Sequence, residues 1–90
     1  MKIASLAADR GLKVANHGFT TYVNVIAALH WLNSIRNALI AEFVVQEETA
    51  LREAITRQKL RAVDGYLSIP EEPGFGIDLD EVQVSRYRVA

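Results

Sequence analysis

The stretch Val14-Ala15-Asn16-His17-Gly18-Phe19 decides the fold of this chain. It closes a short apolar run, residues 12–15, which predicts a strand. A histidine follows this run directly, and Gly18 opens a turn towards the next element. The order strand, histidine, turn predicts one rim of a β/α unit, with His17 at the end of the strand.

A second apolar run, residues 38–45, is the strongest strand signal in the sequence. It is continuous rather than alternating, which is typical of a parallel strand buried on both faces. The helix between the two runs is capped by Thr20 or Thr21 and predicts a right-handed βαβ crossover. Because parallel strands end at the same edge, about 5 Å apart, we expect His17 and Glu42 to face one shared pocket.

The helix of this crossover extends to Leu32 and carries an unusually wide apolar stripe, which predicts that neighbouring residues cover most of it. We interpret His30, on the same helix but away from the rim, as structural. The stripe consists of Tyr22, Val25, Ile26, Ala28, Leu29 and Leu32.

The two ends of the chain carry local signals. A helix over residues 2–10 is ended by Gly11 as a C′ residue, so the chain begins on a helix with no strand before it. A polar loop over residues 46–49 leads to a helical turn at 51–55. Asp64-Gly65 predicts a hairpin, residues 70–76 a loop, and Asp80 with Gln83 a capping box that opens a last helix.

Length and composition exclude several classes of protein. Ninety residues allow at most one small domain, and the net charge of −1 gives no electrostatic footprint for nucleic acid. The absence of cysteine excludes disulfides and thiolate zinc sites. The longest apolar stretch is too short to span a bilayer, and the N-terminus does not have the pattern of a signal peptide. We therefore expect a cytoplasmic chain that binds neither nucleic acid nor a membrane.

The ordered set of these features resembles the C-terminal portion of the mandelate racemase/muconate lactonizing enzyme branch of the enolase superfamily, in particular its acid-sugar dehydratases. The resemblance covers essentially the whole chain. It implies an α/β fold that is a fragment of a β/α (TIM) barrel: helix–strand–helix–strand, then a short hairpin and an irregular C-terminal tail. The residues that carry the resemblance are Asp9-Arg10-Gly11-Leu12, Asn16-His17-Gly18-Phe19, Asn37-Ala38-Leu39, Glu42-Phe43, Asp64-Gly65-Tyr66-Leu67, Pro70, Pro73-Gly74-Phe75-Gly76 and Leu79-Asp80-Glu81.

The resemblance also implies roles for single residues. Such enzymes abstract the proton next to a carboxylate, with Mg²⁺ stabilising the enediolate. His17 matches their general acid/base, and Glu42 matches the residue that contacts the substrate carboxylate. Residues 1–56 then correspond to the last β/α units, and residues 57–90 to a tail that packs on a capping domain, so no complete independent domain is expected. Asn16 departs from the proline that often precedes the family's histidine.

The metal ligands, the catalytic lysine and the aspartate that partners the histidine lie upstream in such enzymes. The other acidic residues of this chain fall in loops or a cap, so no cofactor is expected to bind here, and His17 is expected to lack an orienting carboxylate. We therefore expect a fragment that is inactive alone, whose partners are the remaining barrel and capping domain and whose substrate, in the complete enzyme, is a small sugar acid. A stand-alone α/β interaction or oligomerisation module remains an alternative, as does a subunit whose partner chain supplies the metal site.

Overall fold

The computed structural model describes residues 1–18, 20–44 and 50–89. Its four helices are α1 (Lys2–Ala8), α2 (Tyr22–Asn33), α3 (Ala50–Ala54) and α4 (Glu81–Arg86). Within the described ranges, none of the helices is long and apolar enough to cross a membrane. Phe19, the end of the second apolar run at Val45 and the predicted loop over residues 46–49 lie outside the described residues.

Helix α1 ends in a Schellman motif. The Leu12 N–H donates to Ala7 O at 2.9 Å, and the Gly11 N–H donates to Ala8 O at 2.9 Å. Gly11 has φ +68°, which is the left-handed conformation that this motif requires at C′. The predicted stop at Gly11 is confirmed, although the regular helix ends at Ala8, earlier than the predicted residue 10.

The two apolar runs meet at one parallel β-bridge, between Val14 and Ala38. Val14 donates to Asn37 O at 2.9 Å, and Leu39 donates to Val14 O at 2.8 Å. The parallel pairing is confirmed, but the predicted strands over residues 12–15 and 38–45 were too long, because the described residues show only this one bridge between them. Two isolated strands form a weak unit, since stable sheets generally need at least three.

Asn37 fastens helix α1 to this bridge. It is 9% exposed, and its Nδ2 donates to Ala4 O at 2.9 Å and to Leu12 O at 3.0 Å. Buried amides of this kind are stabilising because they satisfy main-chain carbonyls that water does not reach.

Helix α2 carries the core. Of the two predicted capping residues, Thr20 and Thr21, the N-cap is Thr21, whose hydroxyl accepts from the Asn24 N–H at 3.3 Å. The side chains of the wide apolar stripe are buried, except that Ala28 is half-buried. Around α2, the described core comprises Tyr22, Val25, Ile26, Leu29 and Leu60, with Ala41, Phe43, Leu67, Ile69 and Ile77 packed against it.

The second apolar run is covered only in part. Ala41 and Phe43 pack against the core, whereas Leu39 is 69% and Ile40 is 66% exposed. The expectation of a strand buried on both faces is therefore wrong for the described residues, since they leave Leu39 and Ile40 uncovered.

The C-terminal segment folds back on residues 55–58. Thr56 and Leu79 form an antiparallel bridge, which crosses the predicted division between residues 1–56 and 57–90. The hairpin is confirmed by reciprocal 2.9 Å hydrogen bonds between Val63 and Tyr66. The N-cap is confirmed as well, because Asp80 Oδ1 accepts from the N–H of Gln83 at 3.1 Å. The full capping box is wrong, since the Asp80 N–H donates to Ile55 O at 3.0 Å rather than to the Gln83 side chain.

Candidate functional site

His17 and Glu42 lie in contact, although 25 positions separate them in the sequence. The imidazole Nδ1 is 2.8 Å from Glu42 Oε2. The parallel bridge at Val14 and Ala38 brings the two segments side by side, and each side chain follows its half of that bridge. The predicted juxtaposition is confirmed, but it lies on an open surface, since the His17 side chain is 83% exposed and that of Glu42 is 41% exposed.

The contact indicates which ring nitrogen carries a hydrogen towards Glu42. An ionised carboxylate only accepts hydrogen bonds, so Nδ1 carries the hydrogen and donates it to Glu42 Oε2. In a neutral imidazole, Nε2 then holds the lone pair that takes up a proton. Glu42 thus provides a carboxylate that orients His17, so the expectation that the described chain offers none is wrong. As an exposed ion pair, the contact adds little to stability.

Asn16 holds the main chain of Glu42. Its Nδ2 donates to Glu42 O at 3.1 Å, and its Oδ1 accepts from the Glu42 N–H at 2.8 Å. In the sequence, Asn16 stands out only as a departure from the proline of the resembled family. Its position directly before the histidine, at the end of a strand, was the available signal for a structural role.

A second polar cluster lies beside Tyr22 and was not predicted from the sequence. Arg52 is 4% exposed; its Nη1 donates to Val44 O at 3.1 Å, and its guanidinium carbon lies 5.8 Å from the Tyr22 ring centroid. The Tyr22 hydroxyl donates to Glu53 Oε1 at 3.1 Å. These contacts join α3 to α2, and the three residues line a cavity of about 210 Å³. A single arginine in a charged segment carries no sequence signal for burial.

His30 has the structural position that was predicted for it. Its Nε2 lies 3.2 Å from Phe75 O, and the two rings are in an edge-on arrangement with centroids 5.4 Å apart. This contact fastens the Pro-Gly-x-Gly segment to α2. His30 is therefore not part of the His17 site.

The described side chains do not fit the Mg²⁺ that the family resemblance implies. No group of three or more histidine, aspartate or glutamate side chains that could hold a metal occurs within residues 1–18, 20–44 and 50–89. At the His17 rim, the carboxylate of Glu42 is already engaged by the imidazole. Mg²⁺ needs several oxygen ligands in octahedral geometry, and this pair alone does not supply them.

Comparison with known proteins gives the class to which this fold and rim belong. The family model for enolase C-terminal domain-like proteins matches residues 1–83. The chain therefore belongs to the enolase C-terminal domain-like family.

Several similar proteins are named for reactions of sugar acids or of a sugar-acid lactone. The chain is 30% identical to the D-galactarolactone cycloisomerase of Agrobacterium fabrum, covering 98% of this chain and 25% of the relative. It is 32% identical to a D-mannonate dehydratase of Caulobacter vibrioides, covering 96% and 21% of the two chains. The solved 3,6-anhydro-D-galactonate cycloisomerase of Zobellia galactanivorans superposes with a TM-score of 0.78 at 29% identity, over 96% of this chain and 24% of that chain. The chain thus spans about a quarter of the length of these relatives.

Proposed function

We propose that this chain is the acid/base-bearing part of an enolase-superfamily enzyme that abstracts the proton next to the carboxylate of a sugar acid. The observation that carries the proposal is the 2.8 Å contact between His17 Nδ1 and Glu42 Oε2. It leaves Nε2 as the nitrogen that exchanges a proton with the substrate, which histidine does well near neutral pH. The relatives named above, which are sugar-acid dehydratases and cycloisomerases, support the substrate class.

The proposal gives Glu42 a second task. Its carboxyl group has two oxygens; Oε2 accepts from His17, and we assign the substrate's carboxylate to the other oxygen. Because two carboxylates both accept hydrogen bonds, that second oxygen takes up a proton when the substrate binds and donates it to the substrate carboxylate. Both tasks place the reacting carbon between these side chains. Dehydration, racemisation and cycloisomerisation share this first proton transfer, so the site is common to all three reactions.

The proposed enzyme is completed by protein segments other than these 90 residues. A partial β/α barrel needs the remaining barrel and a capping domain to enclose the rim, and Mg²⁺ would be held there. Mg²⁺, when bound, supplies the charge that stabilises an enediolate. The chain alone is accordingly proposed to be inactive, and the location of the complete enzyme to be cytoplasmic.

A hybrid enzyme tests this function. Residues 1–83 replace the aligned quarter of the Agrobacterium cycloisomerase, and α-proton exchange is followed by NMR in D₂O with D-galactarolactone and D-mannonate as probes. We expect exchange in the hybrid enzyme, and its loss by a factor of at least about 10³ in His17→Ala with Mg²⁺ binding unchanged. His30→Gln is the matched control and should keep exchange. Retained exchange in His17→Ala would refute the role of His17.

The exposed apolar side chains favour one alternative, a stand-alone interaction or oligomerisation module. Leu39 and Ile40 of the second apolar run are 69% and 66% exposed, and Ile3 and Leu6 of α1 are 76% and 56% exposed. A second copy of the chain would cover such side chains without any catalysis. The mass in solution, measured together with urea unfolding, distinguishes the enzyme fragment from the module: a stable homo-oligomer that unfolds cooperatively favours the module. A partner chain that restores exchange would instead favour a two-chain enzyme.

A further inference from the structure

The side-chain amide of Asn16 binds both polar groups of the Glu42 main chain, at 2.8 Å and 3.1 Å. A β-ladder would normally satisfy these groups, but the bridge between Val14 and Ala38 is isolated. The amide therefore takes the place of a further rung. It does so 26 positions away in sequence and directly beside the histidine.

Two neighbouring residues consequently contact the same partner in different ways. Asn16 holds the main chain of Glu42, and His17 contacts its carboxylate. The separation between imidazole and carboxylate thus depends on where Asn16 places the main chain. We infer that Asn16 is a positioning residue, whose amide holds Glu42 so that the carboxylate keeps His17 in its Nδ1–H tautomer.

The chemistry of the amide explains why this position suits asparagine. A carboxamide offers one acceptor and two donor hydrogens, which match a main-chain N–H and C=O together. Aspartate keeps the acceptor but sets a carboxylate oxygen against the Glu42 carbonyl. Proline, which often precedes the histidine in the resembled family, has no side-chain donor or acceptor at all.

The tautomer of His17 tests the inference without any catalysis. The chain contains two histidines, so histidine-selective ¹⁵N labelling gives two imidazole spin systems in a long-range ¹H–¹⁵N spectrum. We expect His17 of the wild-type chain to be the Nδ1–H tautomer at pH 8. In Asn16→Ala and Asn16→Asp it should shift towards the Nε2–H tautomer that free histidine prefers. Asn33→Ala, at an exposed asparagine of α2, is the matched control and should leave the spectrum unchanged.

Three results would overturn the inference. They are an unchanged His17 tautomer in both Asn16 variants, a wild-type His17 that already has the free-histidine tautomer, and loss of helical circular dichroism in both variants. The last would make Asn16 necessary for folding rather than for His17. His30 provides an internal reference, because its signals should not move.

The catalytic consequence of the inference rests on the proposed function. In the hybrid enzyme, Asn16→Ala should lower kcat for α-proton exchange roughly 10- to 100-fold with little change in KM, because a misplaced base impairs the chemical step. The two failures are distinguishable. A hybrid enzyme without exchange but with the expected tautomers would contradict the proposed function alone, whereas unchanged tautomers would overturn the role of Asn16 whatever the activity.

Discussion

Replacement of Asn37 by alanine should destabilise the chain more than replacement of an exposed polar residue does. The side chain is 9% exposed and donates to two carbonyls, Ala4 O at 2.9 Å and Leu12 O at 3.0 Å. Each hydrogen bond contributes about 1 kcal/mol, and a buried carbonyl left without this donor adds to the cost. We therefore expect the free energy of unfolding to fall by about 2–3 kcal/mol. With a urea m-value of roughly 1–1.5 kcal/mol/M, the midpoint would drop by about 2 M.

The assay is urea unfolding followed by circular dichroism, with the mass in solution determined for every variant. Asn33→Ala is the matched control: Asn33 is exposed on the last turn of α2, and its replacement should change the free energy by less than about 0.5 kcal/mol. Asn37→Asp keeps the size but turns donors into acceptors, and should cost at least as much as alanine. An Asn37→Ala midpoint equal to that of the control would refute this reasoning. A broad, non-cooperative wild-type transition would refute its premise that these residues form a stable core.

Two further predictions concern packing in the same unfolding assay. Ile26 is fully buried, and Ile26→Ala should lower the free energy of unfolding by about 3 kcal/mol. Ile3→Ala, at an exposed position of α1, should change it by less than about 0.5 kcal/mol. Equal effects of the two substitutions would contradict the core assigned to α2. A Cβ at Gly76 would lie 2.4 Å from Pro70 Cβ, at φ +65°, so Gly76→Ala should cost about 2–3 kcal/mol. Gly74→Ala, at φ +73° but facing open space in the described part of the chain, should cost only about 1 kcal/mol, and a cost equal to that of Gly76→Ala would exclude the clash as the cause.

Features set by local chemistry could be predicted from the sequence. The cap of α2 could be narrowed to Thr20 or Thr21, and Asp80 and Gly11 could be predicted as a cap and a helix stop, because each acts on main-chain groups within a few residues. The contact between His17 and Glu42 is long-range, yet it was predicted because parallel strands end at a common edge. Pattern and topology together were sufficient there.

Features set by distant neighbours could not be predicted in this way. The length of the two strands depends on lateral partners, and the run from residue 38 alone does not define how many rungs form. Burial of Arg52 depends on Tyr22 and on the Val44 carbonyl, which the chain brings together only after folding. The Asn16 amide binds across 26 positions and leaves no periodic signal. The roles of His17 and Glu42 in catalysis remain predictions.

Because the side chains of Leu39 and Ile40 are exposed, the stability of the folded chain should depend on the concentration of any molecule that binds them. A molecule that covers them binds the folded chain and not the unfolded one, so by mass action it raises the free energy of unfolding by RT ln(1 + [L]/Kd). At a hundredfold excess over Kd this amounts to about 2.7 kcal/mol, a large fraction of the stability of a small domain. The melting temperature of this chain should therefore rise with any partner that covers Leu39 and Ile40, whether or not the partner takes part in catalysis.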